Sequence, residues 1–176
     1  ILRGRCLHYG EGITFWPILE ALTGAGEEAR AVIDRFSHGS VAAPEELFWE
    51  VRTLLEGLAR RQPLILHVDD LHWAEPMLLD LLNHLVELSR ESPILLLCTA
   101  RVELLEEHVG WTQRNIDAAV LHLEPLGRED CETLLRQLGD QLDERARGEV
   151  IRASEGNPLF LQEMVALARE QGSADV

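Results

Sequence analysis

The segment LILHVDDLHWAE, at residues 64–75, decides the fold of this chain. It starts with a short, largely apolar run rather than an alternating one, which is typical of a strand in a sheet with both faces covered. Asp69 and Asp70 end the run, and His72 and Trp73 follow at once. A turn needs neither of the last two side chains, so the segment is far more specific than an isolated acidic pair. It predicts a buried parallel strand that ends in two carboxylates.

A second apolar run of the same kind lies at residues 93–99. Residues 76–90, between the two runs, have leucines at helical spacing and begin with a proline, which suits a first helical turn. A strand, a helix and a strand in this order form a crossover unit of a parallel sheet. The fold class predicted is therefore α/β.

The rest of the chain separates into two parts by its pattern of apolar residues. We place a soft boundary near Glu124, between an α/β core at residues 1–124 and a helical part at residues 125–176. Further strands are predicted at residues 1–7 and 119–123, and helices at residues 15–22, 27–36, 44–61, 128–138, 143–154 and 158–170.

The charged residues of the chain argue against a nucleic-acid partner, and they include no lysine that could bind phosphate. The 16 basic residues are all arginines, and together with 31 acidic residues they give a net charge of -15. Because nucleic-acid binding needs clustered basic residues, direct contact with DNA or RNA by this chain is not expected. Since the chain has no lysine, none of its residues can serve as a phosphate-binding P-loop lysine.

Nothing in the sequence indicates a membrane protein or a secreted one. No apolar run approaches the roughly 18 residues of a membrane span, and the first residues lack the layout of a signal peptide. The three cysteines, Cys6, Cys98 and Cys131, are scattered and match no disulfide framework. We therefore expect a cytoplasmic protein without a membrane partner.

The acids that end the first apolar run are candidate ligands and catalysts. Ligands of open parallel sheets bind beyond the carboxyl ends of the strands, which is where Asp69 and Asp70 are predicted to lie. One carboxylate suits the coordination of a Mg²⁺ ion that bridges nucleotide phosphates, and its neighbour suits the orientation or deprotonation of water. The alternative is that the two acids simply form the turn after the strand.

The second apolar run ends in a threonine and an arginine. At that strand end, Arg101 suits a charge-assisted contact with a terminal phosphate, and Thr99 suits a hydrogen bond to water or phosphate. The alternative for Arg101 is an ion pair with Glu103 or Glu106 in the following segment. The predicted location beside the acids favours the first interpretation.

Two other sets of residues have competing interpretations. His67, Asp69 and His72 could together be transition-metal ligands, but no further His or Cys cluster completes such a site. In the helical part, Asn157 and Pro158 fit the cap and the first position of a helix that restarts after a glycine, and capping alone explains them.

Four segments together resemble a known family, the signal-transduction ATPases with numerous domains. These are AAA-type P-loop ATPases of the STAND class, in the bacterial form found beside nucleotide-cyclase, kinase or LuxR-type regulatory domains. LILHVDDLHWAEP resembles their Walker B segment, and LLLCTAR resembles their sensor strand. GRCLHYGEGITFWP resembles the segment after their P-loop helix, and EGNPLFLQE resembles a motif of their helical lid. The quoted segments lie at residues 64–76, 95–101, 4–17 and 155–163.

The resemblance implies a site for ATP and Mg²⁺. It implies that Asp69 coordinates Mg²⁺, that Asp70 helps to activate water, and that Arg101 senses the terminal phosphate. Asn157 and Pro158 would lie near the adenine, with the helical part acting as a lid over the nucleotide.

The resemblance also implies that a strand and its phosphate loop precede Ile1 in a parent protein. In the sheet order of this family, the P-loop strand lies between the sensor strand and the last strand. We therefore expect an incomplete parallel P-loop NTPase sheet that is part of a longer protein with attached effector domains. The chain alone is not expected to hydrolyse ATP. The alternative function is an interaction module that uses the same fold to bind protein partners without turnover.

Overall fold

The computed structural model describes residues 1–8, 14–37, 44–108, 111, 118–138 and 142–172. The chain divides into two compact units, Ile1–Val120 and Leu121–Val176, and each is described by itself. No helix among these described residues is long and apolar enough to cross a lipid bilayer.

Unit 1 is built on a three-stranded parallel sheet in the order β1-β2-β3. In the register of the sheet, Leu2 is level with Leu66, and Leu66 is level with Leu96. The predicted parallel α/β fold is thereby confirmed. The strands are β1 (Leu2–Arg5), β2 (Leu64–Asp69) and β3 (Ile94–Cys98).

The helices of unit 1 follow the predicted pattern closely. Short 3-10 helices at Gly26–Ala29 and Leu71–Trp73 accompany them. Helix α4 begins with Pro76 at its first position and joins β2 to β3, which confirms the predicted crossover. The helices are α1 (Trp16–Thr23), α2 (Arg30–Ser37), α3 (Pro44–Ala59), α4 (Pro76–Leu88) and α5 (Glu103–Glu107).

One face of the sheet packs into the hydrophobic core of unit 1. Side chains alternate between the two faces of a strand. Leu2, Leu66 and Val68 therefore share this face, and all three are almost fully buried. Gly4 shares this face, and a Cβ atom there would lie 1.7 Å from the carbonyl oxygen of Pro17 in α1. The absence of a side chain at Gly4 therefore lets β1 and α1 approach each other closely.

The opposite face of β3 is exposed, which corrects the expectation that both sheet faces are covered. Leu95 is 56% exposed and Leu97 is 48% exposed. Both side chains alternate with Leu96, which packs against the core. An apolar run thus predicts the strand correctly, but the run does not show whether both of its faces have cover within these residues.

The predicted strand at residues 119–123 is wrong, since the structure has no helix or strand there. Leu121 is 86% exposed and Leu123 is 95% exposed. A strand is held by hydrogen bonds to a neighbouring strand. Among the strands that the structure describes, none pairs with these residues, and their apolar alternation alone does not make a strand.

Unit 2 consists of three helices around a small core of its own. Its fully packed side chains are Cys131, Leu135, Leu161 and Val165. The helices are α6 (Arg128–Gln137), α7 (Glu144–Ser154) and α8 (Pro158–Gly172). All three were predicted from their amphipathic spacing, with bounds that differ by no more than two residues.

The connection between α7 and α8 turns sharply at two residues in the left-handed region. Glu155 has φ 50° and Gly156 has φ 77°. A Cβ atom on Gly156 would lie 2.6 Å from the carbonyl oxygen of Leu126, whose amide donates to the carbonyl oxygen of Gly156 at 2.8 Å. The turn thus combines a left-handed backbone with close contact to another segment, and only glycine satisfies both.

Gly156→Ala is expected to destabilise unit 2 by about 2–4 kcal/mol, because it adds left-handed strain and a steric clash with Leu126. Hydrogen exchange of the α8 amides, followed by mass spectrometry, measures the effect. Gly148→Ala in α7 is the matched control, since a Cβ there meets nothing within 4 Å. Equal α8 protection in the two variants would contradict the role assigned to Gly156.

Candidate functional site

The paired acids lie at the carboxyl end of β2, the central strand of the sheet. Asp69 is the last residue of β2, and Asp70 follows with a left-handed φ of 54°. The amide of Leu71 then donates to the carbonyl oxygen of Thr99 at 2.8 Å, which fastens the turn to the end of β3. The strand-end location predicted for Asp69, Asp70 and Thr99 is the observed one.

The carboxylate of Asp69 is held by two donors. The hydroxyl of Thr99 and the amide of Asp70 both donate to its Oδ1 atom, the amide at 3.1 Å. The hydrogen bond from Thr99 is the main reason that the pKa of Asp69 lies below its usual value. The side chain remains 42% exposed, so an ionised carboxylate faces solvent at this edge.

Thr99→Val is expected to raise the pKa of Asp69 toward the usual value of about 3.9, because it removes the hydroxyl donor. Since the pKa is lower in the folded state, the ionised carboxylate stabilises the fold above about pH 3.9. That contribution is lost as the pH falls through the lower folded value. A ¹³C NMR titration of the Asp69 carboxyl measures the shift.

The control is Thr53→Val in α3, where the hydroxyl donates only to the carbonyl oxygen of Trp49 at 2.8 Å. It should leave the pKa of Asp69 unchanged. An unchanged Asp69 pKa in Thr99→Val as well would show that the hydroxyl does not hold the carboxylate.

Arg5 is a member of this cluster that the sequence did not single out. Its Nε atom donates to Asp70 Oδ2 at 2.7 Å, and its Nη2 atom lies 2.6 Å from the same oxygen. Its Nε atom is also 3.9 Å from Asp69 Oδ2. The signal that could have located Arg5 is the sheet register, which aligns it with Asp69.

Arg101 lies beyond the carboxyl end of β3, ahead of α5. Its side chain is exposed, and its carbonyl oxygen accepts from the amide of Leu104 at 3.3 Å. Within the described part of the chain, the guanidinium forms no ion pair, so the alternative pairing with Glu103 or Glu106 is not observed. Its phosphate contact stays a prediction.

The donor set at this edge suits a hard cation. Mg²⁺ binds oxygen ligands, and it generally takes one or two carboxylates together with waters and substrate phosphates. Asp69 offers its Oδ2 atom, which no hydrogen bond from a described residue engages. Thr99 adds a hydroxyl oxygen at the same carboxylate, and the carboxylate of Asp70 contacts the same guanidinium, that of Arg5. The residues therefore fit a Mg²⁺ ion that carries most of its ligands with it.

A transition-metal site has no geometric support. Among the residues described, no group of three or more His, Cys, Asp or Glu side chains is placed to hold a metal ion. Both ring nitrogens of His72 are shielded from solvent, and no described residue bonds them. The alternative set of His67, Asp69 and His72 is thus not assembled.

Asn157 and Pro158 form the start of α8 in unit 2. Asn157 Oδ1 accepts from the amides of Leu159 at 3.0 Å and Phe160 at 3.4 Å. Pro158 is the first residue of the helix. The predicted capping role of Asn157 is confirmed, because these amides have no partner within the helix.

Comparison with known proteins gives a family match and one distant relative. The profile of the AAA ATPase domain family matches residues 1–97, which is more than half of the 176 residues. An uncharacterized protein of Rhizobium meliloti (strain 1021) is 32% identical over 62% of this chain. The aligned segment makes up 11% of the relative's length. No solved structure matches the chain.

Proposed function

Because the chain belongs to the AAA ATPase domain family, we propose that it supplies the Mg²⁺ side and the water side of an ATP site in a signal-transduction ATPase. The observation that carries the proposal is the cluster of Asp69, Asp70 and Thr99 at the carboxyl ends of neighbouring parallel strands. Ligand sites of open α/β sheets occur at this edge.

Each side chain of the cluster has a proposed role. Asp69 would hold a Mg²⁺ ion, since its carboxylate is ionised and partly exposed. Thr99 orients that carboxylate through its hydroxyl. Asp70 positions and deprotonates the attacking water, and Arg101 contacts the terminal phosphate. Mg²⁺ supplies neutralisation of the phosphate charge when it is bound.

We also propose that a segment other than these 176 residues supplies the phosphate-binding loop. The sequence has no lysine and no GxxxxGK[ST] motif, which are the parts of that loop that cradle the phosphates. Two features of β3 support this proposal. It is an edge strand of the described sheet, so a further strand can pair with it, and its exposed apolar face at Leu95 and Leu97 can be covered by a further helix.

Unit 2 is proposed to act as the lid of the nucleotide site, with Asn157 and Pro158 near the adenine. In this scheme, nucleotide binding shifts an attached effector domain between two states, and slow hydrolysis resets it in the cytoplasm. The proposal rests on the resemblance of residues 155–163 to the lid motif of these ATPases, within which Asn157 caps the start of α8.

Arg101→Gln tests the proposal in the full gene product that contains these residues. It should weaken ATP binding about tenfold and leave ADP binding unchanged, because only ATP carries the terminal phosphate. Competition against a fluorescent nucleotide analogue measures both affinities. Arg90→Gln is the matched control, since Arg90 is also exposed but precedes β3, at the opposite end of the strand.

Equal losses for ATP and ADP would contradict the sensing role of Arg101. Failure of the unmodified gene product to bind either nucleotide would contradict the proposed function as a whole.

A further inference from the structure

Arg5 has no role in the proposed hydrolysis, but it forms an ionic cluster with the two acids that do. Two nitrogens of the Arg5 guanidinium contact a single oxygen of Asp70, at 2.6 and 2.7 Å. The same guanidinium lies 3.9 Å from Asp69 Oδ2. One positive charge therefore serves two neighbouring carboxylates.

The backbone around Arg5 aims its side chain at the acids. Arg5 is level with Asp69 in the parallel pairing of β1 and β2. Its amide donates to Glu20 Oε2 at 2.8 Å, and the next amide, of Cys6, donates to the carbonyl oxygen of Asp69 at 2.9 Å. The position of Arg5 is thus set by the sheet, although its side chain is 61% exposed.

A divalent cation at Asp69 and the guanidinium of Arg5 compete for the same charges. The oxygen of Asp69 that is open to a cation, Oδ2, is the oxygen that faces Arg5. Two cations at such a separation repel each other, and each one reduces the negative potential that attracts the other. Cation binding at Asp69 must therefore weaken the hold of Arg5 on Asp70.

We propose that Arg5 is an internal counter-cation, which occupies the acid pair and releases Asp70 when a divalent cation binds at Asp69. Arg5 is a positioning residue in this scheme. While Arg5 holds Asp70, that carboxylate is engaged as an acceptor of two charged donors. A cation at Asp69 would replace the positive charge of Arg5 beside the two acids. The Asp70 carboxylate would then be free to accept a proton from water. The inference rests on the proposed role of Asp69 as the cation ligand.

Mn²⁺ is the probe that tests this exchange, because the free ion is measured directly by electron paramagnetic resonance. In titrations of the full gene product, Arg5→Gln should tighten Mn²⁺ binding about three- to tenfold, since it removes the competing charge. Arg5→Lys retains the charge and should stay close to the unmodified protein. Arg3→Gln is the matched control, because it removes the same charge from the same face of β1 away from the acid pair.

A second measurement needs no variant of Arg5. Mg²⁺ added to the unmodified protein should shift the ¹⁵N resonance of Arg5 Nε, as the contact with Asp70 is released. The shift should be absent in Asp69→Asn.

The outcomes separate this inference from the proposed function. If Asp69→Asn weakens Mn²⁺ binding but Arg5→Gln behaves like Arg3→Gln, the counter-cation role is wrong and the cation site at Asp69 stands. If Asp69→Asn leaves Mn²⁺ binding unchanged, both the cation site and this inference are overturned. Arg5→Gln that binds Mn²⁺ more weakly, or not at all, also overturns the inference.

Discussion

Gly4→Ala is expected to prevent the native packing of β1 against α1 and to lower the free energy of unfolding of unit 1 by at least about 3 kcal/mol. The added Cβ would lie 1.7 Å from the carbonyl oxygen of Pro17, and three backbone atoms of that residue are within 3 Å. Backbone cannot yield as a flexible side chain does, so the strand must move away. Because β1 carries Arg5, the acid cluster should lose its partner as well.

Urea unfolding followed by tryptophan fluorescence measures this effect, because all four tryptophans belong to unit 1. Gly57→Ala in α3 is the control, since a Cβ there meets nothing within 4 Å. It should be neutral or stabilise the helix by up to about 1 kcal/mol. A Gly4→Ala protein as stable as the control would contradict the close approach of β1 and α1.

Asp70→Asn is expected to reduce ATP hydrolysis by the full gene product at least about 100-fold, while nucleotide binding is retained. The amide keeps the size of the side chain but cannot accept the proton of the attacking water. Single-turnover phosphate release measures the rate, and equilibrium titration measures the binding. Asp80→Asn is the matched control, because Asp80 is an exposed acid of α4 in the same unit.

The same variant discriminates between the two classes of function. Loss of signalling with binding retained supports hydrolysis as part of the cycle. Unchanged signalling and unchanged phosphate release would instead favour an interaction module that uses the fold without turnover.

The elements of the fold were predictable where local pattern and tertiary packing agree. Strand β2 and helix α4 follow directly from an apolar run and from leucines at helical spacing. Residues 119–123 show the same apolar character, yet they form no strand, because a strand also needs a partner. The pattern of apolar residues shows that a segment is able to form a strand, but it does not show whether a neighbouring strand is present to pair with it.

The sequence predicted part of the candidate site, and it did not predict the contact of Arg5 with Asp70. Asp69 and Thr99 are each adjacent to an apolar run, so the rule that parallel strands end at one edge brings them together. Arg5 is distant in sequence and lies on a short strand, and its contact with Asp70 depends on the register of β1 against β2. That register depends on tertiary packing of β1, which no local pattern records.

The proposed Mg²⁺ site at Asp69 is tested most directly by a calorimetric titration of ATP into the full gene product, with Mg²⁺ and then with excess EDTA. ATP binding is expected to depend strongly on Mg²⁺, with that dependence lost in Asp69→Asn. Equal affinities with and without Mg²⁺, or a dependence that Asp69→Asn leaves intact, would contradict the assignment of the Mg²⁺ site to Asp69.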